Sequence, residues 1–125
     1  MAVSMSMPIL IVDDYNTMIR ILRNLLRQLG FTQIDEASDG ATALAKIRAK
    51  DYALVISDTH MASMSGVELL QRVRADERTR ATPFVMLGDS EDEAPATRAG
   101  ASGCLARPFS AQTLKAKLEP VLGAF

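Results

Sequence analysis

Short apolar runs punctuate this chain, and between them the apolar residues change to a helical spacing. The clearest run, residues 53–56, leads through Ser57 into Asp58. A continuous apolar run of this length reads as a strand buried on both faces. Residues 8–12 form a second such run and end on Asp13 and Asp14, and residues 83–87 form another, ending at Gly88, Asp89 and Ser90. Residues 33–37 are a weaker strand candidate, and residues 102–106 a short fifth strand.

Between the runs, Met18, Ile21, Leu22, Leu25, Leu26 and Leu29 recur as one face of a helix. Asn16 is its expected N-cap and Gly30 its C′ stop. After the Asp39-Gly40 turn, residues 41–50 suit a short helix with Leu44 and Ile47 inward. Ser65-x-x-Glu68 and Ser90-x-x-Glu93 are capping-box patterns that open two more helices. Pro95 keeps the second of these short. Ser110 caps a last helix carrying Leu114, Leu118 and Leu122, which Pro120 is expected to end or bend near Glu119. Strands and helices thus alternate with short connections, which implies one α/β domain over 1–125 with a parallel sheet and right-handed crossovers. Residues 1–7 read as a loose N-terminal extension.

Composition narrows the picture. The 125 residues are 48% apolar with a net charge of −1. A chain of this size buries roughly two-thirds of its unfolded surface, enough for a normal core. The balanced charge selects neither nucleic acid nor an anionic membrane. One cysteine, Cys104, excludes an internal disulfide and a cysteine-based zinc site and fits a reducing, cytoplasmic setting. No secretory signal or membrane-length apolar stretch is present, and a monomer is expected. Arg20, Arg23 and Arg27 lie off the apolar stripe of the first helix, and Arg72, Arg74, Arg78 and Arg80 cluster later. Both groups read first as solvated basic faces.

The chemistry lies in the acids. In open parallel sheets, functional groups gather at the carboxyl ends of the strands, where strand order reverses. If the first and third strands are neighbours, Asp13, Asp14 and Asp58 converge there. Three carboxylates so close repel unless a cation neutralises them, and Mg2+ with its oxygen ligands is the natural solution.

Residues 9–14, residues 54–58, Gly66 and Arg107-Pro108-Phe109 together resemble the receiver domain of two-component response regulators, over essentially the whole chain. Residues 23–26, Gly30-Phe31 and residues 100–103 bring it nearest to the single-domain chemotaxis receivers. The resemblance implies a flavodoxin-like (βα)5 fold, doubly wound, with strand order 2-1-3-4-5. It makes Asp58 the phosphoryl acceptor, attacking a phosphohistidine on a sensor histidine kinase or phosphotransfer protein. Asp14 and Asp58 would hold Mg2+ directly, Asp13 through water, and the His60 backbone carbonyl would be a further ligand. The arginines of the first helix would join the kinase-docking surface. A signalling domain is implied rather than an enzyme, phosphorylating and dephosphorylating itself at most. With no output domain in the sequence, its effect would run through contacts with a downstream protein.

The family pattern is not complete. Gly88 stands where a Ser or Thr hydroxyl would meet the phosphoryl group, and Asp89 where a small residue is usual. Cys104 replaces the switching aromatic, and Arg107 the lysine that pairs with the phosphoryl group. Ala62 replaces a proline, and the fourth helix is about one turn short. The Arg107-Pro108 bond is a candidate cis peptide. These departures imply altered switching, and restoring the hydroxyl with Gly88→Thr is expected to raise the yield or lifetime of the phosphoryl adduct. The other reading is a degenerate receiver that binds partners whatever its phosphorylation. A haloacid-dehalogenase-type phosphotransferase would need a second aspartate where His60 stands, and a nucleotide binder would need a Gly-rich loop.

Overall fold

The computed structural model describes residues 3–125. The elements run β1 (Ile9–Val12), α1 (Asn16–Gln28), β2 (Ile34–Ala37), α2 (Gly40–Ala49), β3 (Leu54–Asp58), α3 (Gly66–Ala75) and β4 (Phe84–Gly88). A single 3-10 turn (Ser90–Asp92) then leads into α4 (Glu93–Arg98), β5 (Gly103–Ala106) and α5 (Ala111–Leu122). The sheet is parallel throughout, in the order β2-β1-β3-β4-β5. This is the flavodoxin-like α/β arrangement that the alternating pattern and the resemblance imply.

Residues alternate between the two faces of each strand, so each face has its own core. Leu10, Val12, Val55, Phe84 and Met86 pack against α2, α3 and Ala96 of α4. Ile9, Ile11, Leu54, Ile56, Val85, Leu87 and Leu105 pack against α1 and α5. Every residue of β1 and β3 is buried, which explains the apolar runs Ile9–Val12 and Leu54–Ile56. The edge strand β2 is half-buried and acidic. Its Asp35 accepts from Tyr52 Oη at 2.7 Å, and Glu36 pairs with Arg23. Charge on an edge strand discourages pairing with another chain.

Helix ends correct several expectations. Tyr15, not Asn16, is the N-cap of α1, because Asp13 Oδ1 accepts the Tyr15 N–H at 2.9 Å and turns the chain one residue earlier. The buried stripe of α1 is Ile19, Leu22 and Leu26, while Ile21 is 42% exposed. Gly30 does stop the helix, at φ +109°. Its N–H bonds the Arg27 carbonyl and that of Phe31 the Leu26 carbonyl, a Schellman closure. Ser65 caps α3 by accepting the Glu68 N–H, but Glu68 turns to Arg72 and leaves the box half made. The next box closes one residue earlier than its sequence pattern, on Asp89 and Asp92. Pro120 does not end α5, which continues to Leu122. Ala116 and Pro120 are both exposed, so water can take the carbonyl that the missing N–H frees. The fourth helix is short, at six residues.

The N-terminal stretch is not loose where described. The Met5 carbonyl accepts from the Thr32 N–H at 3.0 Å, and Val3, Met5 and Met7 lie on the α1/α5 core. The later basic cluster also divides. Arg74 is partly buried and donates to the carbonyls of Gly100, Arg80 and Thr82, whereas Arg72 and Arg78 pair with Glu68 and Asp76 at the surface.

Candidate functional site

β1 and β3 pair in register with Val12 opposite Ser57, so Asp13 and Asp58 leave the sheet side by side. The Asp13 N–H extends the ladder to the Ala37 carbonyl at 3.1 Å, and the Thr59 N–H bonds the Leu87 carbonyl at 2.9 Å. Both acids therefore stand on backbone held from both sides. Asp14 follows in the loop. One carboxylate oxygen from each of Asp13, Asp14 and Asp58 lies within 4.8 Å of the others.

Each acid is held differently. Asp58 is buried, and its Oδ1 accepts from Arg107 Nη2 at 3.0 Å and from the His60 N–H at 3.2 Å. Asp14 is exposed, and its Oδ2 accepts the Ala62 N–H at 2.9 Å. Asp13 is fully buried, with Oδ1 on the Tyr15 N–H and Oδ2 without a partner. An unpaired buried carboxylate oxygen is costly. Burial pushes the Asp13 carboxyl up from 3.8 to about 6, with the Asp58 and Asp14 charges adding to it and the Tyr15 N–H and the Arg107 charge opposing.

The orphaned oxygen, the hard oxygen donors and the mutual repulsion all fit a divalent oxygen-seeking cation such as Mg2+. The raised Asp13 value also sets a pH dependence. The folded state holds this proton more tightly than the unfolded state. The resulting stability is fully present below about 4 and lost as pH rises through about 6. Urea-unfolding midpoints in EDTA should therefore fall across this window, and Asp13→Asn should remove that slope. Asp35, Asp39 and Asp76 have lowered values and act below the window.

The opposite wall is built around Gly88, at the end of β4. A Cβ there would stand 2.6 Å from Asp92 Oδ2 and 2.7 Å from Thr59 Oγ1. Those groups thus occupy the space of the missing side chain. Thr59 Oγ1 donates to the Leu87 carbonyl at 2.9 Å. Asp92 is buried, with Oδ2 accepting the Asp89 N–H at 2.8 Å and Oδ1 bonded to His60 Nε2 at 2.9 Å. Asp89 is exposed and caps the 3-10 turn. Beside Gly88 a cavity of about 100 Å³ is lined by Thr59, Met86, Cys104 and Lys117 among others. Burial, and next the Glu93 charge, push the Cys104 thiol up, which keeps it protonated. The Arg107-Pro108 bond is cis.

The family model described as the response regulator receiver domain matches residues 9–119. The chain belongs to the response regulator receiver family. Among curated receivers it is 44% identical to chemotaxis protein CheY-3 of Vibrio cholerae, over 93% of this chain and 92% of that one. It is also 44% identical to chemotaxis protein CheY of Pseudomonas aeruginosa, over 92% and 95%. Among solved structures, chemotaxis response regulator CheY4 of Vibrio cholerae superposes with a TM-score of 0.85 at 32% identity, covering 94% of this chain and 99% of that one. The chain is a CheY-like receiver, a two-component signalling module.

In this receiver the three acids named from the sequence come together, with Arg107 on Asp58. The His60 ring is bonded to Asp92, while its N–H meets Asp58. Gly88 lacks the hydroxyl, as the sequence shows, and Asp92 and Thr59 fill the space that a side chain there would take. Thr59 and Asp92 were missed as parts of the site. The Asp89-x-x-Asp92 spacing, which makes a capping box, was the one local signal that could have pointed to Asp92.

Proposed function

We propose that this receiver accepts a phosphoryl group on Asp58 from a phosphohistidine of a sensor histidine kinase or phosphotransfer protein. The observation that carries the reading is the cluster of Asp13, Asp14 and Asp58 with one buried oxygen left unpaired. An Asp58 carboxylate oxygen attacks the phosphorus. The P–N bond breaks, its electron pair goes to the imidazole nitrogen, and an acyl phosphate forms. Asp14 and Asp58 would hold Mg2+ directly, Asp13 through water, with the His60 carbonyl as a further ligand. When bound, Mg2+ supplies neutralisation of charge on the transferring group. The Arg107 guanidinium, already on Asp58 Oδ1, is placed to pair with the incoming phosphoryl oxygens.

The reading places the protein in the cytoplasm as a monomer that signals by protein contact, without nucleic acid or membrane. None of the helices among the described residues is long and apolar enough to cross a membrane. Likeness to chemotaxis proteins makes chemotaxis the first pathway to test, and the target and cognate kinase would be found by binding. The wall around Gly88 supports altered switching. It also supports a second reading, a receiver whose partner binding ignores phosphorylation.

Incubation with acetyl phosphate and Mg2+, followed by intact-mass measurement, tests the main reading. One phosphoryl adduct is expected on wild type and none on Asp58→Asn. An equal adduct on both, or none on wild type, would rule Asp58 out as acceptor. Partner binding that Asp58→Asn leaves unchanged would favour the second reading.

A further inference from the structure

We infer that Asp92 is a positioning residue for the Asp58 site, acting through His60 from the space beside Gly88. The inference rests on the proposed metal and phosphoryl reading of that site. Asp92 belongs to the turn after β4, and His60 to the loop after β3. Their bond, Nε2 to Oδ1 at 2.9 Å, ties the two segments together.

The bond is built asymmetrically. The Asp92 side chain is 12% exposed and that of His60 73%. The carboxylate is the fixed end. Its other oxygen accepts the Asp89 N–H within a capping box, so it cannot turn away without opening the 3-10 turn. His60 is the long, exposed end, and it would wander in solvent if nothing held it. Its own backbone N–H donates to Asp58 Oδ1. The same peptide unit precedes the carbonyl proposed as a metal ligand. Holding the ring therefore holds the backbone that shapes the acceptor.

Glycine at position 88 permits this. A Cβ there would stand 3.0 Å from Asp92 Cβ as well as against its Oδ2. With any larger residue the carboxylate could not occupy its present place. The absence of a hydroxyl at 88 and the presence of the Asp92–His60 tether are thus one structural choice. A change at the acceptor loop would reach the start of α4 through this tether rather than through a hydroxyl on β4.

Outer partners of metal-site groups typically change metal affinity by about 10–100-fold when removed. Isothermal titration with MgCl2 should show weakening of about tenfold for Asp92→Ala and for His60→Ala, with the double variant no worse than either. Asp92→Asn keeps an acceptor without the charge and should retain most of the affinity, and His60→Gln should restore part of it. Amide NMR should show residues 90–98 shifting on addition of Mg2+ and beryllofluoride in wild type, and not in His60→Ala. That variant leaves the capping box intact, so it reads the tether even if Asp92→Ala unfolds.

Unchanged Mg2+ affinity and unchanged residue 90–98 shifts in a folded His60→Ala would overturn the inference while leaving the acceptor reading standing. Equal loss in Asp92→Asn and Asp92→Ala would overturn it in favour of simple charge. A wild type that neither binds Mg2+ nor gains a phosphoryl group would overturn both.

Discussion

Gly66→Ala is expected to destabilise the protein by about 3 kcal/mol or more, at the top of the range for adding one methyl to a packed site. The added Cβ would drive into the Asp58 carbonyl oxygen and stand 2.9 Å from Met86 Sδ. Met86 is a flexible thioether and can yield. The Asp58 carbonyl is backbone at the end of a fully buried strand and cannot. Gly66 is also fixed from its own side, since its N–H donates to the Thr59 carbonyl at 2.9 Å. The helix that follows is anchored by buried Leu69, Leu70 and Val73. Relief thus requires β3 or α3 to move, and either displaces Asp58. Urea unfolding and Mg2+ titration should fail together. A variant with wild-type stability would show that this approach of glycine to backbone is not a constraint.

Gly88→Thr comes second, and its expected sign is opposite to the one that the family pattern suggests. Installing the hydroxyl alone should cost about 1–3 kcal/mol and leave the phosphoryl adduct no more abundant than in wild type. The reason is occupancy, since Asp92 Oδ2 and Thr59 Oγ1 already stand within 2.7 Å of the new Cβ. Removing the obstacle should change the outcome. In Gly88→Thr with Asp92→Ala, the two costs should fall short of additive by about 1 kcal/mol or more, as expected for residues in contact. Unfolding midpoints and intact-mass yields for the four proteins of the cycle decide it. Strict additivity would mean that Asp92 and position 88 do not compete for space.

Much of the arrangement was legible because local and global signals agree in it. The runs that became β1 and β3 are buried on both faces, so their sequences carry no charge until the acids that end them. That marked Asp13, Asp14 and Asp58 as acids at strand ends, while their convergence depended on β1 and β3 being neighbours. Gly30 was legible because its φ of +109° is one that other residues adopt with strain. Asn16 misled because a good capping residue lost to an earlier turn made by Asp13. Ile21 misled because periodicity fixes that a helix has a face, while packing on β1 and α5 fixes where it points. The Asp92–His60 bond and the Thr59 hydroxyl were illegible for a different reason. They join segments that meet only once the sheet is assembled, and nothing in local spacing records what a glycine at the end of β4 leaves room for.

The burial of Asp13 has a consequence for how the folded chain tolerates scarcity of its cation. A chain that folds around three clustered acids, only one of them paired with an arginine and another buried with a bare oxygen, has less in reserve than the same fold with neutral side chains there. A cation held by Asp13, Asp14 and Asp58 would need β1 and β3 paired, so by mass action it would favour the folded chain, by about 1.4 kcal/mol at tenfold excess over its dissociation constant. On the proposed reading, the acidic rim would then serve as a ligand-dependent brace as well as a reaction site. In magnesium-starved cells, proteases would meet the unbraced form first, and abundance as well as signalling would follow the metal.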